Sequence, residues 1–364
     1  MHSDLRPTET VQKLLISTTS RLVGEFEREN LLVTHAFPDL TNMSAFMRLE
    51  ENALSRSCYV FAFRTEPVKP GAGPLPDYRP SGDIVCAYLS ILYGKRFDNH
   101  GLRESLGIYF VPEIDMSASV CKPTLPQNSH SPRKDLAIPL ELPEISRIER
   151  LFLDPSLDQR FRQFLSTAGM FYSKALQGFE REPEIAYLNL ITAGEVISNF
   201  YDYPKEELLD DQVKSALKTI EETMEGSEKI VRLLKSQLLQ IKRRFLKTAC
   251  ALINSHFFSN TECAKDFGAL KRKDFERRLA AAYDVRSRYI HTGFPFGECV
   301  SRQLVKNNEI QVGPRVVIAD KEFAKTLALA PTFIGLERVI RYCLLRFIHL
   351  NGIPIDPVLD DMAA

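Results

Sequence analysis

The sequence predicts an α+β protein in which a mixed or mainly β N-terminal domain is followed by an all-α helical domain. Before residue 145, short runs rich in Val, Ile, Tyr and Phe alternate with stretches dense in Pro and Gly, which is typical of strands joined by loops. After that residue, apolar side chains recur at the spacing of an α-helix. Since 364 residues exceed the usual length of one domain, we predict domains at 1–145 and 146–364.

In the N-terminal domain three runs predict strands, namely CYVFAFRT (58–65), DIVCAYLSILYG (83–94) and GIYFVPEI (107–114). The segments 67–83 and 122–135 predict mobile loops. They are rich in proline, which lacks the N–H that a central strand or a helix interior needs. We find no residue pattern here that indicates a chemistry, and we expect this domain to sense a trigger or to regulate the second domain.

Four segments of the second domain predict helices, and four such helices suggest a bundle. They are 184–201, 228–257, 273–293 and 331–352. The last has Pro331 at its start and Gly352 after its end, which are residue types typical of the two ends of a helix. The segment 309–320 predicts a short hairpin or an irregular excursion.

The composition limits the classes of protein. The formal net charge is zero, and the seven cysteines are scattered without CxxC spacing, which argues against a disulfide framework or a zinc site. The N-terminal residues lack the pattern of a signal peptide, and no apolar run approaches the roughly 20 residues that a membrane helix needs. We therefore expect a cytoplasmic protein with no membrane segment, no metal and no cofactor.

Positive charge is concentrated between residues 230 and 291, where 14 Lys and Arg stand against 5 Asp and Glu, a net charge of +9. One predicted helix carries four of these cations: Lys242, Arg243, Arg244 and Lys247. A basic surface of this kind favours a polyanionic partner such as RNA. The alternative is a set of solvated helix faces whose acidic partners come from elsewhere in the fold.

The segment DVRSRYIHTGFPFG (284–297) contains an arginine and a histidine five positions apart, Arg286 and His291. An Arg–His spacing alone is weak evidence for a catalytic pair. The chain also contains Arg28 and His35 at a similar spacing, with nothing to suggest a role for them. The interpretation of Arg286 and His291 therefore depends on their surroundings.

The residues after His291 predict the end of a helix. Gly293 suits a left-handed cap, and Pro295 prevents continuation. His291 then lies in the last turn, where the carbonyl ends favour a cation and make the imidazole a competent proton donor. In a straight helix, Arg286 and His291 point about 140° apart. They converge only if the helix unwinds at His291 or if two chains meet.

Three segments of the second domain resemble the Apea-like branch of the HEPN superfamily. YDVRSRYIHTG (283–293) is similar to its motif region, in which an acid precedes Arg-Ser and a His-small-Gly sequence follows. YLNLITAGEVIS (187–198) resembles the early helix that usually carries a glutamate, here Glu195. LERVIRYCLLRFI (336–348) resembles the closing helix, with Arg341 at the usual arginine position.

The resemblance covers roughly residues 150–352 and implies a HEPN-like helical bundle. The chain departs from the pattern at Ser287, where many active members carry Asn, Asp or His after the arginine. HEPN ribonucleases use no metal, because RNA supplies its own 2′-OH nucleophile. The resemblance therefore implies that His291 moves protons and that Arg286 stabilises charge on the phosphate, in a groove shared by two chains of a homodimer.

The function expected from this resemblance is that of a metal-independent endoribonuclease. It would be a toxin or antiviral defence effector that cleaves tRNA or another structured RNA. Ser287, Asp284 and Glu195 are expected to support the pair, and Arg288 joins the four helix cations as an RNA contact. The alternatives are a non-catalytic HEPN module that binds RNA, a nucleotide or a partner protein, and a helical scaffold with an incidental motif.

Several of these side chains also have a purely structural interpretation. Glu195 can form an ion pair that supports the motif, with Arg286 or Arg341 as its partner. Asp284 can be an ordinary acid on a helix surface. Arg341 lies in an apolar helix, where a buried charge needs a partner, so we expect it to pair with an acid for structural reasons.

Overall fold

The computed structural model confirms the α+β class, with a sheet formed by N-terminal residues and helices forming most of the rest. It describes residues 9–36, 57–66, 77–105, 108–109, 122–209, 211–223, 226, 231, 241–314 and 318–360. The mixed N-terminal part and the helical C-terminal part follow each other along the chain in the predicted order.

In the described part of the chain, six strands form one antiparallel sheet with the order β2-β3-β4-β1-β5-β6. The strands are β1 (Thr10–Thr18), β2 (Phe26–Arg28), β3 (Leu31–His35), β4 (Ser57–Thr65), β5 (Phe97–Ser105) and β6 (Ile108–Tyr109). Strand β1 pairs along its whole length with β4, from Thr10 opposite Thr65 to Thr18 opposite Ser57. The predicted strand at 58–65 is confirmed as β4, whereas the central strand β1 was not predicted.

The segment 83–94, predicted as a strand, belongs instead to helix α1 (Arg79–Tyr93). The second half of α1 is buried on every side, because the helix lies between the sheet and the later helices. A run without a polar face does not reveal by its spacing whether it is strand or helix. Pro80 in the first turn and Gly94 in the left-handed conformation (φ 62°) mark the two ends of α1.

The predicted strand and loops of the N-terminal domain had different outcomes. Only β6 represents the strand predicted at 107–114, whose other residues lie outside the described part. The loop predicted at 67–83 is described from residue 77, and its last residues form the first turn of α1. The segment 122–135 has no helix or strand, but the prediction that it is mobile is wrong, because the side chains of Arg133 and Asp135 are buried.

Ten further helices occur in the described residues. They are α2 (Glu149–Leu153), α3 (Gln159–Gly178), α4 (Pro183–Ser198), α5 (Asp211–Thr223), α6 (Ile241–Leu252), α7 (Ser255–Ser259), α8 (Phe275–Thr292), α9 (Gly297–Ser301), α10 (Lys321–Leu329) and α11 (Phe333–Leu350). The helices predicted at 184–201, 273–293 and 331–352 are confirmed as α4, α8 and α11. The segment 309–320 was predicted as a short hairpin or an irregular excursion. Its described residues are irregular, with one isolated bridge at Ile310.

The helix predicted at 228–257 is confirmed only as α6, since most of its first half lies outside the described residues. Its end was predicted wrongly, because α6 stops at Leu252. Asn254 has an extended backbone there. Its side-chain oxygen accepts a hydrogen bond of 2.5 Å from the Tyr342 hydroxyl, and its amide donates to the Val358 carbonyl at 2.9 Å. These tertiary contacts terminate the helix.

One hydrophobic core runs through both predicted domains. Helix α1 packs on α3, where a Cβ added at Gly169 would lie 3.1 Å from Ile91 Cδ1. Helix α11 is buried over almost its whole length and packs against α3, α4 and α6. The predicted boundary near 145 therefore does not separate two cores, and the two-domain division stays a prediction.

A network of buried charges connects the two halves of the chain. Its members are Lys95, Arg133, Arg338, Arg341, Asp135, Glu262, Glu309 and Glu337. Arg133 donates two hydrogen bonds, of 2.7 and 2.8 Å, to the carboxylate of Glu337. Arg341 donates to Asp135 at 2.9 Å, which confirms its predicted structural pairing with an acid. Four positive and four negative groups leave the network formally neutral.

Candidate active site

Helix α8 carries both Arg286 and His291, and its C-terminal end has the predicted cap. Gly293 adopts the left-handed conformation (φ 65°), and its N–H donates to the Tyr289 carbonyl at 2.8 Å. The helix packs on the core through a stripe of buried apolar residues: Phe275, Leu279, Ala282 and Val285. Arg286 follows the last of these and lies at the edge of the stripe, partly buried.

Arg286 forms an ion pair with Glu195 of α4. Its Nη2 lies 3.2 Å from Glu195 Oε2, and the side chains are 24% and 13% exposed, respectively. The ion pair predicted for Glu195 is confirmed, with Arg286 rather than Arg341 as the partner, whereas support of a catalytic motif by Glu195 stays a prediction. Because both groups are only partly exposed, solvent screens the attraction less than it would on the open surface. The contact therefore holds the guanidinium in one orientation.

Tyr283 completes this arrangement and was not predicted as a site residue. Its hydroxyl donates to Glu195 Oε1 at 2.8 Å, and the guanidinium carbon of Arg286 lies 5.4 Å from the centre of its ring. Burial, followed by the hydrogen bond to Glu195, raises the pKa of Tyr283 to about 12. Its position three residues before Arg286, on the same helix face, is a signal that the sequence contained.

His291 is exposed and lies inside the regular helix, which continues to Thr292. The alternative in which the helix unwinds at His291 is therefore wrong. Regular helical geometry keeps Arg286 and His291 about 140° apart around the axis. Among the residues that the structure describes, none makes a hydrogen bond or an ion pair with the His291 side chain. Only the second route to convergence, through another chain, is left.

The two other predicted supporting residues flank Arg286. Asp284 is exposed and pairs with Lys242 of α6 at 2.6 Å, as expected of an acid on a helix surface. Ser287 is partly buried next to Arg286. The geometry places neither of them in the group formed by Glu195, Tyr283 and Arg286, and a supporting role for them stays a prediction.

The predicted RNA-binding cations have partners within the chain. Arg243 lies 3.7 Å from Glu276, Arg288 lies 2.6 Å from Asp320, and Lys247 pairs with Glu207. Together with Lys242, four of the five cations thus have acidic partners on neighbouring helix faces, which was the alternative to an RNA-binding surface. The exception is Arg244, which donates to the side-chain oxygen of Asn199 at 2.9 Å. These surface pairs are weak, but they reduce the positive potential.

A cavity of about 710 Å³ lies elsewhere, between the sheet and helices α1, α2 and α3. Leu14, Phe61, Tyr88 and Phe152 contribute to its wall, with Arg162 among the polar groups. The wall contains none of the predicted site residues. The candidate active site is therefore a patch on the surface of α4, α6 and α8, and the cavity belongs to the other half of the chain.

The part of the chain that the structure describes offers neither a metal site nor a membrane span. No group of three or more His, Cys, Asp or Glu side chains is arranged there to hold a metal ion. No helix in that part of the chain has the length and apolar composition needed to cross a membrane. No family model, no curated protein and no solved structure matches the chain, so the resemblance to HEPN domains stays a prediction.

Proposed function

We propose that the chain is a metal-independent endoribonuclease of the HEPN type. The observation that carries the proposal concerns two groups on α8. Glu195 holds Arg286 near the surface, and His291 is exposed at the end of the same helix. A fixed cation and an accessible imidazole are the groups that can promote cleavage of RNA by its own 2′-OH.

In the proposed reaction, the 2′-oxygen attacks the adjacent phosphorus while the bond from phosphorus to the 5′-oxygen breaks. The products are a 2′,3′-cyclic phosphate and a free 5′-hydroxyl. His291 accepts the proton of the 2′-OH or donates one to the leaving oxygen. Arg286 donates to the phosphate oxygens, whose negative charge grows in the transition state. Glu195 accepts from only one nitrogen of this guanidinium, so other donors remain for a phosphate.

The proposed active form is a homodimer, because one chain alone does not bring both groups to one phosphate. With Arg286 and His291 about 140° apart on α8, a second copy related by a two-fold axis can supply the missing group. Ile290, next to His291, is 51% exposed and offers an apolar contact for that copy. Each of two equivalent sites would then contain Arg286 from one chain and His291 from the other.

The proposed biological role is that of a cytoplasmic toxin or antiviral effector acting on tRNA or another structured RNA. Unpaired positions are the favoured targets, since unstacked nucleotides can adopt the in-line geometry of the reaction. The N-terminal half is proposed to sense a trigger. Its cavity of about 710 Å³ falls within the usual range of small-molecule sites.

Cleavage of end-labelled tRNA in the presence of EDTA tests the proposal. We expect the parent protein to cut the RNA and to leave cyclic phosphate ends, and we expect His291→Ala and Arg286→Ala to remove this activity while remaining folded. Arg181→Gln is a matched control, because Arg181 is exposed beyond the far end of α3. Equal cleavage by the parent and by His291→Ala would overturn the proposal.

The second candidate function is a non-catalytic module that binds RNA, a nucleotide or a partner protein. The observation that favours it is the pairing of Arg286 with Glu195, which already satisfies part of the charge needed for catalysis. Many active HEPN ribonucleases carry Asn, Asp or His at the position of Ser287, and this difference also favours a non-catalytic role. RNA binding without cleavage by the parent protein, under conditions that keep it dimeric, would select this function.

A further inference from the structure

The end of α4 and the segment after it form a surface that adjoins the candidate active site. We call it the Arg160–Arg244 surface; its members are Arg160, Phe200, Tyr201, Tyr203 and Arg244. Asn199, which accepts the hydrogen bond from Arg244, is one helical turn from Glu195, about 6 Å along α4. The surface is therefore continuous with the Glu195–Arg286 pair.

Arg244 differs from its neighbours on α6 in lacking an acidic partner. Its Nη1 donates to the neutral Asn199 side chain at 2.9 Å, and no carboxylate of the described residues pairs with it. Burial raises the pKa of the Tyr203 hydroxyl, and the hydrogen bond with Thr248 and the charge of Arg244 both oppose that rise. Arg244 thus keeps a positive charge that is available to an anion.

Arg160, at the start of α3, is a second cation of this kind. Its guanidinium carbon lies 5.0 Å from the ring centre of Phe200 and 5.7 Å from that of Phe164. Its Nη2 donates to the Phe200 carbonyl at 3.0 Å, and no carboxylate in the described part of the chain pairs with it. The rings and the carbonyl hold this exposed arginine in place, so little entropy is lost when it binds an anion.

Aromatic rings fill the space between the two arginines. Phe200 contacts Tyr201 with ring centres 5.5 Å apart, and Tyr201 lies 6.4 Å from Tyr203. Phe347 of the core packs against both Phe200 and Tyr201, and the Tyr203 hydroxyl is 2.9 Å from Thr248 Oγ1. These rings are fixed by the core and remain partly exposed. Lys247 lies over the Tyr203 ring, 4.8 Å from its centre, so Tyr201 is the ring that is left for a base.

We propose that the Arg160–Arg244 surface binds a single strand of RNA, with phosphates at the two arginines and a base against Tyr201. Charged groups alternating with partly exposed rings match a strand whose bases are unstacked, whereas a duplex keeps its base faces covered. The inference rests on the proposed function and deepens it, because it names the part of the RNA that is held beside Arg286.

Binding is measured by fluorescence anisotropy with a labelled single-stranded RNA of about 12 nucleotides, using His291→Ala protein so that no cleavage is required. We expect Arg160→Gln and Arg244→Gln each to weaken binding several-fold. Each should also reduce the slope of log affinity against log salt by about 0.7, the value for one lost phosphate contact. Arg181→Gln removes the same charge at the far end of α3 and should leave both quantities unchanged.

A ring variant separates base contacts from charge alone. Tyr201→Leu should weaken the binding of single-stranded RNA by about five-fold or more and leave the binding of inorganic polyphosphate unchanged. Thermal denaturation of each variant establishes whether it is folded. If Tyr201→Leu does not fold, Arg160→Gln, which alters an exposed side chain, still tests the inference.

Three results would overturn the inference: unchanged binding by both arginine variants, equal loss of RNA and polyphosphate binding by Tyr201→Leu, or equally tight binding of a duplex of the same length. Failure of the proposed function gives a different pattern. In that case the single strand binds through Arg160 and Arg244 as expected, but the parent protein does not cut it.

Discussion

Oε2 of Glu195 lies 3.2 Å from Nη2 of Arg286, and the other oxygen of the same carboxylate accepts a hydrogen bond of 2.8 Å from Tyr283. Helices α4 and α8 thus meet at a carboxylate that orients the arginine and also neutralises part of its charge. Orientation favours a catalytic role for Arg286, whereas neutralisation weakens its attraction for phosphate. The two effects can be separated by substitution.

Glu195→Gln and Glu195→Ala should affect RNA cleavage differently. The glutamine oxygen can still accept from Arg286, so we expect kcat to change little and KM to fall, because the arginine regains its full charge. Alanine removes the orienting contact, and we expect kcat to fall by roughly 10- to 100-fold, since misplacement of about 1 Å can cost that much. Steady-state kinetics on a labelled RNA measure both constants. Equal kinetics for the two variants would show that Glu195 does not position Arg286.

Tyr283→Phe tests the role of the third member of the group. With its pKa raised to about 12 by burial and by Glu195, Tyr283 is protonated in the neutral range and serves as a hydrogen-bond donor. The variant should lower kcat by a smaller factor than Glu195→Ala and leave the shape of the pH–rate profile unchanged. A profile that loses one of its limbs in Tyr283→Phe would instead make Tyr283 a group that transfers protons.

The ends and spacing of α8 and α11 could be predicted because each has an apolar face or a marked terminus that depends on neighbouring residues alone. Helix α1 could not, since its burial on all sides removes the periodic signal. The same limit applies to the site. Arg286 and Tyr283 share one helix, but their meeting with Glu195 depends on how α4 packs on α8, across 91 positions of sequence.

The buried charges were the least predictable feature. In the sequence, Arg133 and Asp135 stand in a proline-rich segment with the appearance of an exposed loop. Their partners Glu337 and Arg341 are 204 and 206 residues further along the chain. No local sequence pattern predicts that such charges will meet in the core. The tertiary fold brings the segment 122–135 against α11, and the resulting ion pairs offset the cost of burying the charges.

Arg341→Met should strongly destabilise the fold, because it leaves Asp135 charged and buried without its closest cation. We expect the free energy of unfolding to fall by about 3–5 kcal/mol, the usual loss when one partner of a buried pair is removed. Urea denaturation followed by circular dichroism measures the change. Lys325→Met, which removes the exposed pair with Glu322, is the control and should leave the midpoint almost unchanged. Similar effects of the two substitutions would contradict the importance of burial.

The stability of the protein should fall at acid pH in part through Asp135. Burial alone would raise the pKa of this carboxyl, but Arg341, Arg133 and Arg338 outweigh burial and hold the pKa below its ordinary value. A depressed pKa in the folded state stabilises the fold above the unfolded value of about 3.9. That contribution is lost as the pH falls through the folded pKa.

Asp135→Asn provides the comparison for this pH dependence. The variant should be less stable than the parent at neutral pH, and the difference between the two should shrink as the pH falls below about 4. Denaturant midpoints measured at a series of pH values give this difference directly. A constant difference across the acid range would show that Asp135 is not the titrating group.

Gly194→Ala should disturb the packing beneath the candidate active site. A Cβ at Gly194 would lie 2.4 Å from Cε2 of Phe245, so α4 and α6 must move apart or the ring must shift. We expect a loss of about 1–3 kcal/mol in the free energy of unfolding, typical of overpacking. Since Glu195 is the next residue, the shift should also lower the rate of RNA cleavage.

Gly178→Ala is the matched control, because nothing lies within 4 Å of its added Cβ; it should cause no loss of stability or cleavage. If the two alanine variants were equally stable and equally active, the close approach of Phe245 to α4 would not constrain the site.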